Sequence, residues 1–123
     1  MEYTIEADDE FLRVTVSGRE TDRPPSEICA AVFAESRKRG RDRILIELDQ
    51  RFPLSPGNQF ALVMKLPEIG FTPQHRIALV HRTPEMQDAN QFINLVGRNH
   101  GVMVRNFPGV ERAKAWLRGE ADA

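Results

Sequence analysis

Two residues at the ends of short apolar runs have the makings of a general-base pair. Asp49 closes the run Ile44-Leu45-Ile46-Glu47-Leu48, and His81 closes Ile77-Ala78-Leu79-Val80. If the runs are neighbouring parallel strands, the carboxylate could orient the imidazole in one crevice. No nucleophile completes the pair: the sequence contains no GxSxG, HExxH or CxxC motif and no glycine-rich phosphate loop. The expectation is therefore of no catalytic residue and no metal ligand, with an Asp49/His81 hydrolase as the remotest alternative. His75 and His100 fall in expected loops or helix ends, and a histidine near a helix C-terminus is explained by the dipole.

Ser55 is the other residue with chemical potential. In Ser55-Pro56-Gly57 it stands as a helix N-cap, with Pro56 at the first helical position, where a missing N–H costs nothing. Its alternative role is phosphoacceptor, since a new dianion at a helix N-terminus would be favourably placed. Thr83-Pro84 repeats the cap-plus-proline arrangement. A phosphoaspartate at Asp49 of the receiver kind is rejected: such domains open with a parallel βα unit and an acidic pair that binds Mg²⁺. Here Asp8-Asp9 sit in a hairpin turn.

Arg37-Lys38-Arg39-Gly40-Arg41-Asp42-Arg43 is the densest charge run, and it reads as a solvated helix end that complements the macrodipole. Its other use would be to hold a phosphate or an anionic surface. Cys29 reads as a small buried hydrophobe. Phe52, beside Pro53 and Leu54, and Phe71, in Gly70-Phe71-Thr72-Pro73, are aromatics in proline-rich loops. Either they pin their loops to the core or they form an apolar patch for a partner, a second copy or a lipid-like ligand.

Positioning these residues requires a sheet. Tyr3-Thr-Ile-Glu and Phe11 to Ser17 alternate apolar and polar residues around a turn-like Ala7-Asp8-Asp9-Glu10, which predicts an antiparallel hairpin with Leu12, Val14 and Val16 on one face. Asp22 to Pro25 opens a helix with Ile28, Cys29, Val32 and Phe33 at helical spacing, and Gly40 stops it. Residues 43 to 48 read as a strand buried on both faces at the centre of a largely parallel sheet. A second helix runs from about Pro56 to Leu66, with Phe60, Val63 and Met64 on one face and Pro67 marking its end. Arg76 to His81 is a further strand. A third helix with Met86, Ala89, Ile93 and Val96 on its stripe runs from Pro84 to Gly101. Val102 to Phe107 forms the last strand, and Val110, Ala113, Trp116 and Leu117 mark a closing helix. The order β-β-α-β-α-β-α-β-α predicts an α/β fold: a mixed, mostly parallel sheet of about five strands with helices packed on it. Residues 1–118 form one domain in this reading, and 119–123 a flexible tail. In open sheets of this kind, sites lie outside the carboxyl ends of the strands.

The 123 residues carry 17 basic and 18 acidic side chains, a net charge of -1, so no whole-molecule field draws the chain to nucleic acid or acidic partners. The apolar runs are too short to span a bilayer, and the acidic MEYTIEADDE start has no secretory core. With its single cysteine the chain can form no internal disulfide and no multi-cysteine metal site. A cytoplasmic location is the default expectation.

Val14-Thr-Val-Ser-Gly18, Ile44 to Asp49, the Ser55-Pro-Gly opening, Phe107, and Ala113 with Trp116 and Leu117 together resemble the STAS domains, closest to the SpoIIAA-like (STAS/SEC14-like) branch. The resemblance covers about residues 2 to 118 and consists mostly of core pattern. It implies a regulatory or protein-interaction module without a cofactor. Members related to anti-sigma factor antagonists carry an Asp-Ser-Ser-Gly-like motif at the start of the helix after the central strand, and a kinase-like partner phosphorylates a serine there. Ser55 and Gly57 match the last serine and the glycine of that motif; the acidic position is replaced, and Pro56 breaks the pair.

The function expected from the sequence is thus a non-catalytic interaction module. It would use Asp49, Phe52, Leu54, Ser55, Phe71 and His81 as its interaction or ligand surface, with an unknown protein or a second copy of itself as partner. The alternative is a small-molecule or lipid-like ligand-binding domain, in which Phe52, Phe71, Met64 and the mouth near His81 surround an apolar or anionic compound.

Overall fold

The computed structural model describes residues 2–17, 25–49, 64–72, 74–81 and 103–119. Five strands form one sheet in chain order: β1 (Glu2–Ala7), β2 (Leu12–Ser17), β3 (Arg43–Asp49), β4 (Arg76–His81) and β5 (Met103–Phe107). β1 and β2 pair antiparallel, with Tyr3 opposite Val16 and Ile5 opposite Val14. All later pairs are parallel. Helix α1 (Pro25–Arg39) joins β2 to β3, and helix α2 (Val110–Leu117) follows β5. The Ser55 helix start and the third expected helix lie outside the described residues.

The hairpin forms because Asp8 closes its turn. The Asp8 carboxylate accepts the Phe11 N–H at 2.6 Å and the Glu10 N–H at 2.8 Å, while the Asp8 N–H donates to the Phe11 carbonyl at 3.0 Å. An Asx turn of this kind satisfies backbone donors that a bend leaves without ladder partners. Alternation then sorts β2: Leu12, Val14 and Val16 are buried, and Thr15 faces water.

The sheet divides the core in two, as period-2 alternation requires. On one face Leu12, Val14, Val16, Ile44, Ile77, Leu79 and Val104 pack with Ile28 and Val32 of α1 and with Leu66 and Phe71. On the other, Phe11, Leu45, Ala78, Val80 and Phe107 pack with Ala113, Trp116 and Leu117 of α2. Ile44 and Leu45 are both fully covered, so β3 begins as the doubly buried central strand its sequence predicts.

Helix α1 ends as expected at Gly40, whose φ of +66° favours a residue without a side chain. Ser36, the buried polar residue of this helix, donates its hydroxyl to the Arg41 carbonyl, and the Arg41 N–H bonds back to the Ser36 carbonyl. The expected helix end at Pro67 needs correction: residues 64–69 are helical. Proline removes only its own N–H donor, and the following turn closes where the Gly70 and Phe71 N–H groups both bond to the Leu66 carbonyl, at 3.2 and 3.0 Å. Met64, expected on the apolar stripe, is 40% exposed, and Leu66 takes the buried position.

Candidate functional site at the carboxyl edge of the sheet

Parallel strands bring their carboxyl ends to one edge, and here that edge holds Ser17 beside Asp49, with His81 on the next strand. The register decides what these can do. His81 is the ladder partner of Leu48, one position out of step with Asp49. Positions 48 and 49 alternate to opposite faces of the sheet. β3 and β4 are therefore neighbours, as the dyad requires, and the register sets Asp49 and His81 at positions of opposite facing along the ladder. Asp49 is exposed at its strand end. The chain leaves β3 at this edge into the segment carrying Phe52, Leu54 and Ser55, which lie outside the described residues.

Phe71 belongs elsewhere. It precedes β4, so it sits at the amino edge of the parallel strands, a strand length of about 17 Å from the carboxyl edge. It is 5% exposed. Phe71 is thus a buried residue at the edge opposite the His81 end of β4, not part of an exposed patch there. A chain that leaves a strand at one edge and re-enters a parallel neighbour must return to the other edge before the second strand begins.

At the amino edge Phe71 pins its loop. Its ring meets Phe33 of α1 edge-on at 5.2 Å and His75 at 5.2 Å, with Phe33 and His75 at 5.8 Å. The Arg37 guanidinium lies 5.9 Å from the Phe33 ring centre. His75 Nδ1 accepts the Thr72 N–H at 3.1 Å, and the His75 N–H returns to the Thr72 carbonyl at 3.0 Å. Sequence reasoning assigned Phe33 to the helix stripe and His75 to a loop without joining them. The available signal was the spacing of Gly70, Phe71 and His75 immediately before a strand.

Basic side chains gather at this amino edge, where α1, the 64–69 turn and α2 all end, and the negative end of each helix dipole accounts for them. Arg39 pairs with Glu35 at 2.8 Å, and Arg41 donates to the Asp8 and Arg39 carbonyls at 3.2 Å. Arg76 donates to the Trp116 carbonyl at 2.8 Å and lies 5.4 Å from the indole centre. Arg118 holds both Glu10 carboxylate oxygens at 2.8 Å and stacks over Phe11. The Arg118 hydrogen bond keeps the Glu10 carboxyl below its ordinary range, and Arg39 does the same for Glu35. For Asp8 partial burial acts upward, but the Phe11 and Glu10 N–H bonds bring the carboxyl down.

Cys29 is half-buried against the first core cluster, and burial pushes its thiol up to about 12, which leaves almost no nucleophilic thiolate near neutral pH. Among the described residues no three His, Cys, Asp or Glu side chains converge as a metal set, and no helix is long and apolar enough to cross a membrane.

No protein-family model matches the sequence, and no curated protein matches it. Among solved structures the chain is similar to the anti-sigma factor antagonist SpoIIAA in its unphosphorylated form, with a TM-score of 0.54 and 16% sequence identity. The match covers 98% of this chain and 100% of the other. The chain has the SpoIIAA/STAS-like α/β fold.

Proposed function

We propose that this STAS-like domain is a non-catalytic regulatory module that works by contact with a protein partner. Its contact surface is the segment from Gln50 to Gly57, which follows Asp49 at the end of β3, with Phe52, Leu54 and Ser55 and the residues that the sequence predicts as the next helix. The observation that carries the reading is the end-to-end fold match to the anti-sigma factor antagonist SpoIIAA. The one-position stagger of Asp49 and His81 along the ladder favours it over the hydrolase alternative. The ligand-binding alternative loses Phe71, which packs into the core at the opposite edge.

Cross-linking in the native host followed by mass spectrometry identifies the partner, and native mass spectrometry of the gently purified protein reads subunit number, phosphate and bound small molecules. Binding of the identified partner is then measured for Phe52→Ala and Ser55→Asp. Each weakens binding about tenfold or more if this surface is the contact. Unchanged affinity in both variants, with circular dichroism intact, overturns the surface assignment.

A further inference from the structure

Two positive side chains stand in register at the amino edge of the sheet. Arg43 opens β3 and Arg76 opens β4, and the parallel ladder pairs them directly, with Met103 of β5 the next partner in the same row. Ladder partners share a face, and neighbouring strands lie about 4.8 Å apart. The face is that of α2, because Leu45 and Ala78, two positions along each strand, pack in the cluster that α2 covers. Like charges directly opposite one another cost stability unless a negative group lies between them.

Among the described residues, no side chain supplies that negative group. Arg43 is exposed, with no hydrogen bond or ion pair to any of them. Arg76 gives Nη1 to the Trp116 carbonyl and lies over the indole, and no described carboxylate is paired with it. Its remaining donors are uncommitted. The Trp116 carbonyl also takes the Gly119 N–H, so the end of α2 beside Arg76 is closed. Arg39 and Arg118 of the same edge are already occupied by Glu35 and Glu10. Arg43 also differs from them in place: it opens a strand, where no helix dipole calls for a cation.

Met103 ends the row with the opposite property, a large apolar side chain that is 40% exposed beside Arg76. We propose that the row Arg43–Arg76–Met103 is a binding site for an amphiphilic phosphate, a phosphate-class anion carried on an apolar chain. The two guanidiniums take the phosphate oxygens, for which their planar forks are suited. The unbranched methionine lies along the apolar chain, about one strand spacing from Arg76. The bound anion also relieves the repulsion that the register of β3 and β4 imposes.

Hexyl phosphate and inorganic phosphate are the probes, titrated into the protein while amide chemical shifts are followed by NMR. Wild type is expected to bind hexyl phosphate about fivefold or more tighter than inorganic phosphate, through the methionine. Arg43→Gln is expected to weaken hexyl phosphate about tenfold. Met103→Thr is expected to abolish the preference for the hexyl ester and leave inorganic phosphate binding unchanged. Both substituted positions are exposed, and circular dichroism checks that the fold is kept. No saturable binding of hexyl phosphate, equal affinity for the two probes in wild type, or full affinity in Arg43→Gln overturns the site. Co-sedimentation with phosphatidylcholine vesicles containing phosphatidic acid, lost in Arg43→Gln, assigns the phosphate to a bilayer surface. Hexyl phosphate binding without vesicle binding assigns it to a soluble ester.

Discussion

The ring of Phe33 occupies the space that a side chain at Gly70 would need. A Cβ at position 70 would overlap Phe33 Cζ, and the backbone there has a φ of +131°. Glycine is thus required twice, by conformation and by the ring that seals Phe71 into the core.

Gly70→Ala is expected to destabilise the domain by about 2–4 kcal/mol, the sum of a left-handed backbone cost and forced displacement of Phe33. Gly40→Ala meets nothing within 4 Å and carries only the conformational cost, about 1–2 kcal/mol. Urea denaturation of the two variants separates the contributions. Equal losses would mean that the Phe33 ring moves aside freely.

Acid should weaken the hairpin turn first. The Asp8 and Glu10 carboxyls are both held below their ordinary values, so each binds a proton less readily folded than unfolded. Their stabilisation is complete above the unfolded values of about 4 and is lost as pH falls through the lower folded ones. Asp8→Asn, which retains a weaker acceptor without the charge, is expected to be less stable than wild type at pH 7 and to approach it at about pH 2. A difference in denaturation midpoint that stays constant with pH would show that the Asp8 charge contributes nothing.

Much of this fold is legible in the chain itself, for a local reason. Alternation in Leu12, Val14 and Val16, helical spacing in Ile28 and Val32, and the apolar run after Arg43 each report burial through a period that neighbouring residues share. β4 spans Arg76 to His81 as expected, and Ala113, Trp116 and Leu117 are the buried residues of the last helix. Phe11 shows the limit of this logic. It belongs to the hairpin run, yet it packs across the sheet from Leu12, in the cluster of α2.

Those local periods are what the sequence by itself determined: the element order, the core stripes, the stop at Gly40 and the α/β class. The tertiary structure alone decided which residues meet. Ladder register depends on hydrogen bonds between segments some thirty residues apart, and no local pattern encodes a one-residue offset, so only the assembled sheet sets His81 beside Leu48. The return path of the chain likewise carries Phe71 away from the edge where Asp49 stands. Residue types at strand ends announce a possible site; the pairing of the strands determines whether its parts share a face.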